Sequence, residues 1–334
     1  MSYNVTVEVL DRFSSRLHIN TALNLVINIP TMYLIIFHSS KPMGYYKYYL
    51  LYSVVATFIM DIHQSLFYGM YFLLPTMAAC SSGVGRYLGM IWGGQVNYLI
   101  FNMNTSVIGL SLLSLAAFRY FSVYGELKWF ESKYSFPVLF LIGIFYPTPT
   151  IIALVVASFN QSQEELLDLI NNESPEYASL VQMGMCSSFK THTLGFIYIV
   201  ISAVQIGLIE TLGFTFAIKT IGLLKSVKNS LSKATYAAQK QLLISVWLQI
   251  GIPIFTLIIP FSVIMFLIFF KIKTFGFFSE VVVHMMTLHA PLNGLTIMLT
   301  IKPYRDALKK FFFRKPPPIP IQPIAVTNTD IMLT

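Results

Sequence analysis

Four polar side chains, Gln95, Tyr98, Asn102 and Ser106, recur every three or four residues in an otherwise apolar stretch. At helical spacing they share one face, where amides and hydroxyls can bond a small molecule or a neighbouring helix. The outer members suit a ligand, and the deeper ones suit interhelical hydrogen bonds. Glu280 and His284 stand four apart on a later helix. They can form a pH-sensitive pair, or serve separately as a helix-start acid and a buried histidine. Asp61 sits alone in a long apolar run. An intramembrane carboxylate is costly unless paired or hydrated, so it marks a polar hub. Glu210 is a second solitary acid, and no partner for it is legible. The sequence has no HExxH, no GxSxG, no His-rich cluster and no paired intramembrane Asp. Enzymatic chemistry and a cofactor are therefore not expected.

The elements that hold these residues are read from hydropathy. Of the residues, 55% are hydrophobic and only 11% are charged, whereas soluble domains are about a quarter charged. Apolar runs of about 18 residues or more can cross a bilayer as helices. Seven occur, at 19–37, 48–74, 87–118, 134–159, 193–218, 241–270 and 275–301, and none contains Lys or Arg. They lack the alternation of barrel strands. The first is too long for a signal peptide's apolar core and no small-residue cleavage site follows it, so it counts as a span. The expected fold is an all-α membrane bundle of seven helices. Its expected layout is an outer N-terminus at 1–18, a bundle at 19–301, an amphipathic cytoplasmic helix at 302–315 and a Pro-rich disordered tail at 316–334. In the amphipathic segment Tyr304, Ala307, Leu308, Phe311 and Phe312 share one side and basic residues take the rest, which suits an anionic inner leaflet.

Charge sets the orientation. Of the 22 Lys and Arg, 16 fall in loops one, three and five plus the tail, and the other 6 fall on the opposite side. Positive residues gather on the cytoplasmic face, so the N-terminus is outside. The net charge of +8 then reflects topology, and no nucleic acid partner is expected. The only two cysteines, Cys80 and Cys186, both fall in outer loops, where disulfides persist. With no other partner they should bridge the top of the third helix to the loop before the fifth. Acceptor sequons at Asn4 and Asn160 also fall outside.

Seven spans, an outer N-terminus and this bridge resemble a G-protein-coupled receptor. The seventh run ends with His289, a short apolar stretch, then Pro303-Tyr304-Arg305. That ending resembles the nematode serpentine chemoreceptors of the Str superfamily, classes H and I. Tyr45 to Leu51, then Met60-Asp61-Ile62-His63, then the Pro75 region are similar to the same classes. The sequence departs from the general rhodopsin-like pattern. No acid precedes Arg119, the seventh span lacks Asn-Pro-x-x-Tyr, and the sixth has Pro253 and Pro260 without Cys-Trp-x-Pro. The resemblance implies an external small-molecule ligand and a heterotrimeric G protein as partners, with the plasma membrane, and sensory cilia of neurons, as the location. It implies a switch at Arg119 and Tyr120, and a sodium ion at Asp61 as one role for that hub. His289 takes the place of the family's histidine.

The alternative is a transporter or channel for a small solute. Transporters usually show internal repeats and discontinuous helices, and the two halves of this chain show no repeat. The orientation is tested by epitope tags. A tag at the N-terminus should stain intact cells, and one after Thr334 should stain only permeabilised cells; the reverse pattern removes the receptor reading.

Overall fold

The structure is a computed structural model that describes residues 6–159, 161–272 and 276–312. Asn4, Asn160 and the Pro-rich tail lie outside the described residues. Among the described residues, seven helices are long and apolar enough to cross a membrane: α1 (Val7–Phe37), α2 (Tyr46–Tyr68), α3 (Met90–Tyr124), α4 (Ser135–Ser158), α5 (His192–Ser226), α6 (Lys233–Phe269) and α7 (Phe277–Thr300). A short α8 (Lys302–Phe312) follows.

Several helix ends differ from the apolar runs: α3 and α5 continue past them and α6 starts before its run at the inner face, and two differences lie at the outer face. The first helix begins at Val7, so residues 7–18 of the expected N-terminal segment are helical. Its polar residues Asp11, Arg12 and Arg16 broke the apolar run and hid the outer turns. The second helix ends at Tyr68, six residues before the apolar run does. Gly69 turns the chain in the left-handed region at φ +55°, and a Cβ there would meet Ser82 Oγ at 2.4 Å. Glycine is therefore the residue this turn accepts.

Beyond that turn lies a small sheet. Strand β1 (Met70–Phe72) pairs antiparallel with β2 (Ala78–Ser81), and β2 pairs antiparallel with β3 (Cys186–Ser188) from the loop before α5. Cys80 stands directly opposite Cys186 and the two are bonded. The bridge thus joins two strands of one sheet instead of reaching the top of α3 directly. Ser279 Oγ of α7 accepts the Phe72 backbone N–H at 2.8 Å, and Tyr177 donates to the Leu74 carbonyl at 3.1 Å. Burial and nearby Glu176 push the Tyr177 hydroxyl up to about 12. The outer loop between α4 and α5 is acidic and contains a helix. Glu164, Glu165 and Asp168 lie on a helix, Gln163–Glu173, whose start is a Ser162–Glu165 capping box.

Helices α3 and α5 form the most extensive pairing in the bundle, and α3 also packs on α2. Gly109 lets them approach, because a Cβ there would press on Ile209 at 3.1 Å. Gly294 does the same between α7 and α1, where a Cβ would lie 2.5 Å from Asn28 Oδ1. Outward-facing residues such as Val26, Phe140, Val204 and Phe269 are exposed and apolar, as a lipid-facing surface requires.

The Cys80–Cys186 bridge closes a chain separation of 106 residues, worth roughly 4–5 kcal/mol by restricting the unfolded chain. Cys80→Ser or Cys186→Ser should retain most of the protein in the secretory pathway, measured as surface staining against total expression. Thiols that alkylate readily in the unreduced native protein contradict the bridge.

Candidate functional site

The interior polar residues divide into a hub among α1, α2 and α7, a cavity among α3, α5 and α6, and a buried arginine at the inner face.

The hub begins with a broken helix. Pro291 has no N–H to offer the carbonyl four residues back, and α7 parts at Thr287–Leu288 into Phe277–Met286 and His289–Thr300. The second piece has backbone donors at its start without helical acceptors. Asp61 of α2 supplies one acceptor: its Oδ2 takes the Ala290 N–H at 2.8 Å. The carboxylate caps a half-helix from another helix, and the positive end of that half-helix favours the charge. Around it, α1 presents a polar stripe that the sequence reading missed. Asn20 donates to Thr287 Oγ1 at 2.6 Å, Asn24 to the Phe58 carbonyl at 3.2 Å, and Asn28 to Asn24 Oδ1 at 2.6 Å. Their spacing of four in an apolar run was the available signal. Thr21 donates to Ser65, which donates to the Asp61 carbonyl.

Glu280 and His284 belong to this side of the molecule. Glu280 pairs with Arg16 of α1 at 2.5 Å. His284 Nδ1 accepts from Asn20 at 3.1 Å, and its ring meets Phe13 edge-on at 5.8 Å. Each partner lies on α1, so they do not pair with one another and do not line the cavity among α3, α5 and α6. His289 joins α7 to α6 through Thr256 Oγ1 at 3.0 Å.

The cavity has a volume of about 430 Å³, within the range that holds a small ligand. Asn102, Thr105 and Ser106 line it from α3, Tyr198, Ser202 and Glu210 from α5, and Pro253, Leu257 and Met265 from α6. Asn102 accepts the Tyr198 hydroxyl at 2.7 Å, and that oxygen lies 3.0 Å from the Tyr98 hydroxyl. Gln95 and Tyr98 sit further out. They line a narrow space of about 40 Å³ beneath the sheet, and Gln95 donates to the Ser158 carbonyl at 2.8 Å. The face predicted on α3 therefore exists, but only its deeper half reaches the cavity. Pro253 begins a widened, π-helical turn at Ile254–Ile258, a local irregularity that often marks a functional bend.

At the inner end, Arg119 is buried at 3% exposure. Its guanidinium lies 3.4 Å from the centre of the Tyr46 ring on α2 and donates to Gln239 Oε1 of α6 at 3.2 Å. No carboxylate pairs with it among the described residues. Tyr120 instead packs on Tyr124 and on Phe216 of α5, at 5.9 and 5.6 Å. Tyr304 of α8 is buried beside this region, 2.8 Å from Ser39 Oγ, and burial pushes its hydroxyl up to about 12. Pro303-Tyr304-Arg305 thus seats α8 under the end of α1, with Ala307 and Leu308 packed on the core. The side chain of Phe312 lies outside the described residues.

This arrangement is that of a seven-helix, rhodopsin-like receptor. Squid rhodopsin, known from its crystal structure, matches with a TM-score of 0.56 over 93% of this chain and 87% of that chain, at 11% identity. At that identity the likeness establishes the fold alone. No curated protein matches the sequence. The chain belongs to the family described as serpentine type 7TM GPCR chemoreceptor Srh, which it matches over residues 10–314. It is a multi-pass membrane protein and a G-protein-coupled chemosensory receptor.

The Asp61 cap gives a direct test. Asp61→Asn keeps an acceptor oxygen and should retain most of the stability. Asp61→Ala removes it and should cost about 1–2 kcal/mol, read as a lower melting temperature of the purified receptor in detergent.

Proposed function

We propose that the protein is a plasma-membrane receptor whose external small-molecule ligand occupies the cavity of about 430 Å³ and whose α6 carries the signal to a heterotrimeric G protein. The observation that supports this is the double role of α6. Its Pro253 turn lines the cavity, and Gln239, nearer its cytoplasmic start, holds Arg119. A ligand that favours a different bend at Pro253 by a few kcal/mol shifts the inner end of α6 and frees Arg119. In this reading Asn102 contacts ligand and Gln95 and Tyr98 support the outer wall, whereas Glu280 and His284 tie α7 to α1. Arg119 is the switch, and Tyr120 is its neighbour against α5.

The inner ends of α5 and α6, with the short loop between them, carry Lys219, Lys225, Lys228, Lys233 and Lys240 with no acid between them, a basic surface for the G protein. Helix α8 lies on the inner leaflet, its cationic face toward anionic lipid. A sodium ion at Asp61 would use oxygen donors, as a hard cation prefers. Oδ1 of Asp61, Asn28 and Asn293 are buried without hydrogen-bond partners, so the donor chemistry fits such an ion. Glycans at Asn4 and Asn160, and sensory cilia as the destination, belong to the same proposal.

The test is surface expression with a promiscuous G-protein reporter and a screen of volatile and water-soluble compounds. For any compound found, Ser202→Phe should fill the cavity and abolish the response at matched surface density. Arg119→Ala should keep surface level and lose signalling, while Gln239→Ala should raise basal signalling by releasing α6. A normal response from both Ser202→Phe and Arg119→Ala refutes this assignment of roles.

A further inference from the structure

The cavity holds an acid with nothing to balance it. Glu210 lines it from α5 and is half-buried. No hydrogen bond or ion pair reaches its carboxyl among the described residues, and no Lys, Arg or His lines the cavity. The polar groups at the outer end are already engaged, since Tyr198 donates to Asn102 and Ser202 to the Tyr198 carbonyl. Glu210 is thus the principal unmet polar group in a space walled mostly by Ile206, Ile209, Leu257, Phe261 and Met265. An acid in such surroundings is costly unless a partner arrives.

Shape adds a second constraint. The cavity runs along α5 from Tyr198 to Glu210, a rise of ~18 Å at helical pitch. It is a slot with an acid toward its inner end and an apolar body.

Access adds a third. Toward the outside, the space beneath the sheet is only about 40 Å³. The rings of Tyr98, Tyr198 and Phe189 close on one another there, with centres 5.2–6.3 Å apart. Toward the bilayer the wall is thin. Ala203 and Gly207 of α5 and Ser262 of α6 line the cavity and are also exposed. They adjoin the lipid-facing Val204, Leu208 and Phe266. A Cβ on Gly207 would meet nothing within 4 Å. The inner half of α6 packs on α5, whereas its outer half packs chiefly on α7.

We propose that the cavity takes an elongated amphiphile with a cationic amine head, which pairs with Glu210 and reaches the slot from the bilayer between α5 and α6. The proposal rests on the assignment of this cavity as the ligand site. It adds the chemical class of the ligand and its route.

The experiment uses the full-length receptor in phosphatidylcholine nanodiscs, with dodecylamine and dodecanol probes that each carry a photoreactive diazirine. The amine should label α5 and α6 peptides that line the cavity, and the alcohol should label them far less. Glu210→Gln should lower amine labelling by about tenfold or more, the scale of a lost charge-assisted contact, while Glu210→Asp retains most of it. Gly207→Phe should obstruct labelling by blocking the seam. Competition on the unmodified receptor needs no variant: free dodecylamine should displace the amine probe about tenfold better than dodecanol does. Equal competition by the two, or undiminished labelling of Glu210→Gln, overturns the proposal. If Ser202→Phe still abolishes labelling by both probes in that event, the cavity remains the ligand site and only the amine assignment falls. If Ser202→Phe leaves labelling unchanged, the assignment of the cavity falls as well.

Discussion

The hydrogen bond from the Ala290 amide to the Asp61 carboxylate is the interaction on which the polar interior depends. In hydrocarbon, backbone donors must be satisfied by protein, and a helix broken by proline leaves several exposed. Asp61 meets one of them and fixes where the inner half of α7 begins. That position sets the line of His289, Asn293 and Gly294 against their neighbours on α6, α2 and α1. The asparagine stripe of α1 completes the arrangement. It offers short side chains with both donors and acceptors where α7 approaches too closely for larger groups.

This hub is closely packed, and the cavity beside it is not similarly filled. Helices α1, α2 and α7 touch through glycine contacts and short hydrogen bonds. Helices α5 and α6 meet at their inner halves and leave space outward of Pro253. In the proposed reading, a ligand there acts on α6, which is tied to its neighbours by few polar contacts. The one cross-helix hydrogen bond described near the inner end of α6 that bears on α3 joins Gln239 to Arg119, so a bend at Pro253 is felt directly at that contact.

Much of this architecture is legible in the sequence. Seven apolar runs specify seven spans because lipid demands unbroken helices of sufficient length, and Cys80 and Cys186 were the only thiols to pair. Boundaries were harder. Arg12 and Arg16 face α7 and water from the outer turns of α1, so hydropathy cut the helix short. Strand β1 is as apolar as the helix before it, and composition alone could not separate the two. The polar residues showed which helices face inward, yet their partners depend on rotation about each axis. Glu280 and His284 share a face as their spacing requires, but that face meets α1. The stripe of Asn20, Asn24 and Asn28 was visible at helical spacing and went unread because no single member looks chemically exceptional.

The absence of an acid before Arg119 changes the character of the inner contact. A buried arginine paired with a carboxylate combines charge attraction with two-pronged hydrogen bonding. Here the guanidinium has a ring face and a neutral amide, and its Nε and one terminal nitrogen have no hydrogen-bond partner. A desolvated cation–π contact contributes about 2 kcal/mol, and a hydrogen bond from a charged group about 1.5–3 kcal/mol. Neither neutralises the buried charge. The arginine is thus held by a ring quadrupole and one charge-assisted hydrogen bond without a counter-charge, and it retains unmet capacity for an anionic or carbonyl-rich partner. An inner face built this way needs only a modest shift of α6 to offer that capacity outward. The Phe118-Arg119-Tyr120 sequence departs from the acid-containing pattern, and the proposed switch would rest on this cation–π contact and single amide in place of an ion pair.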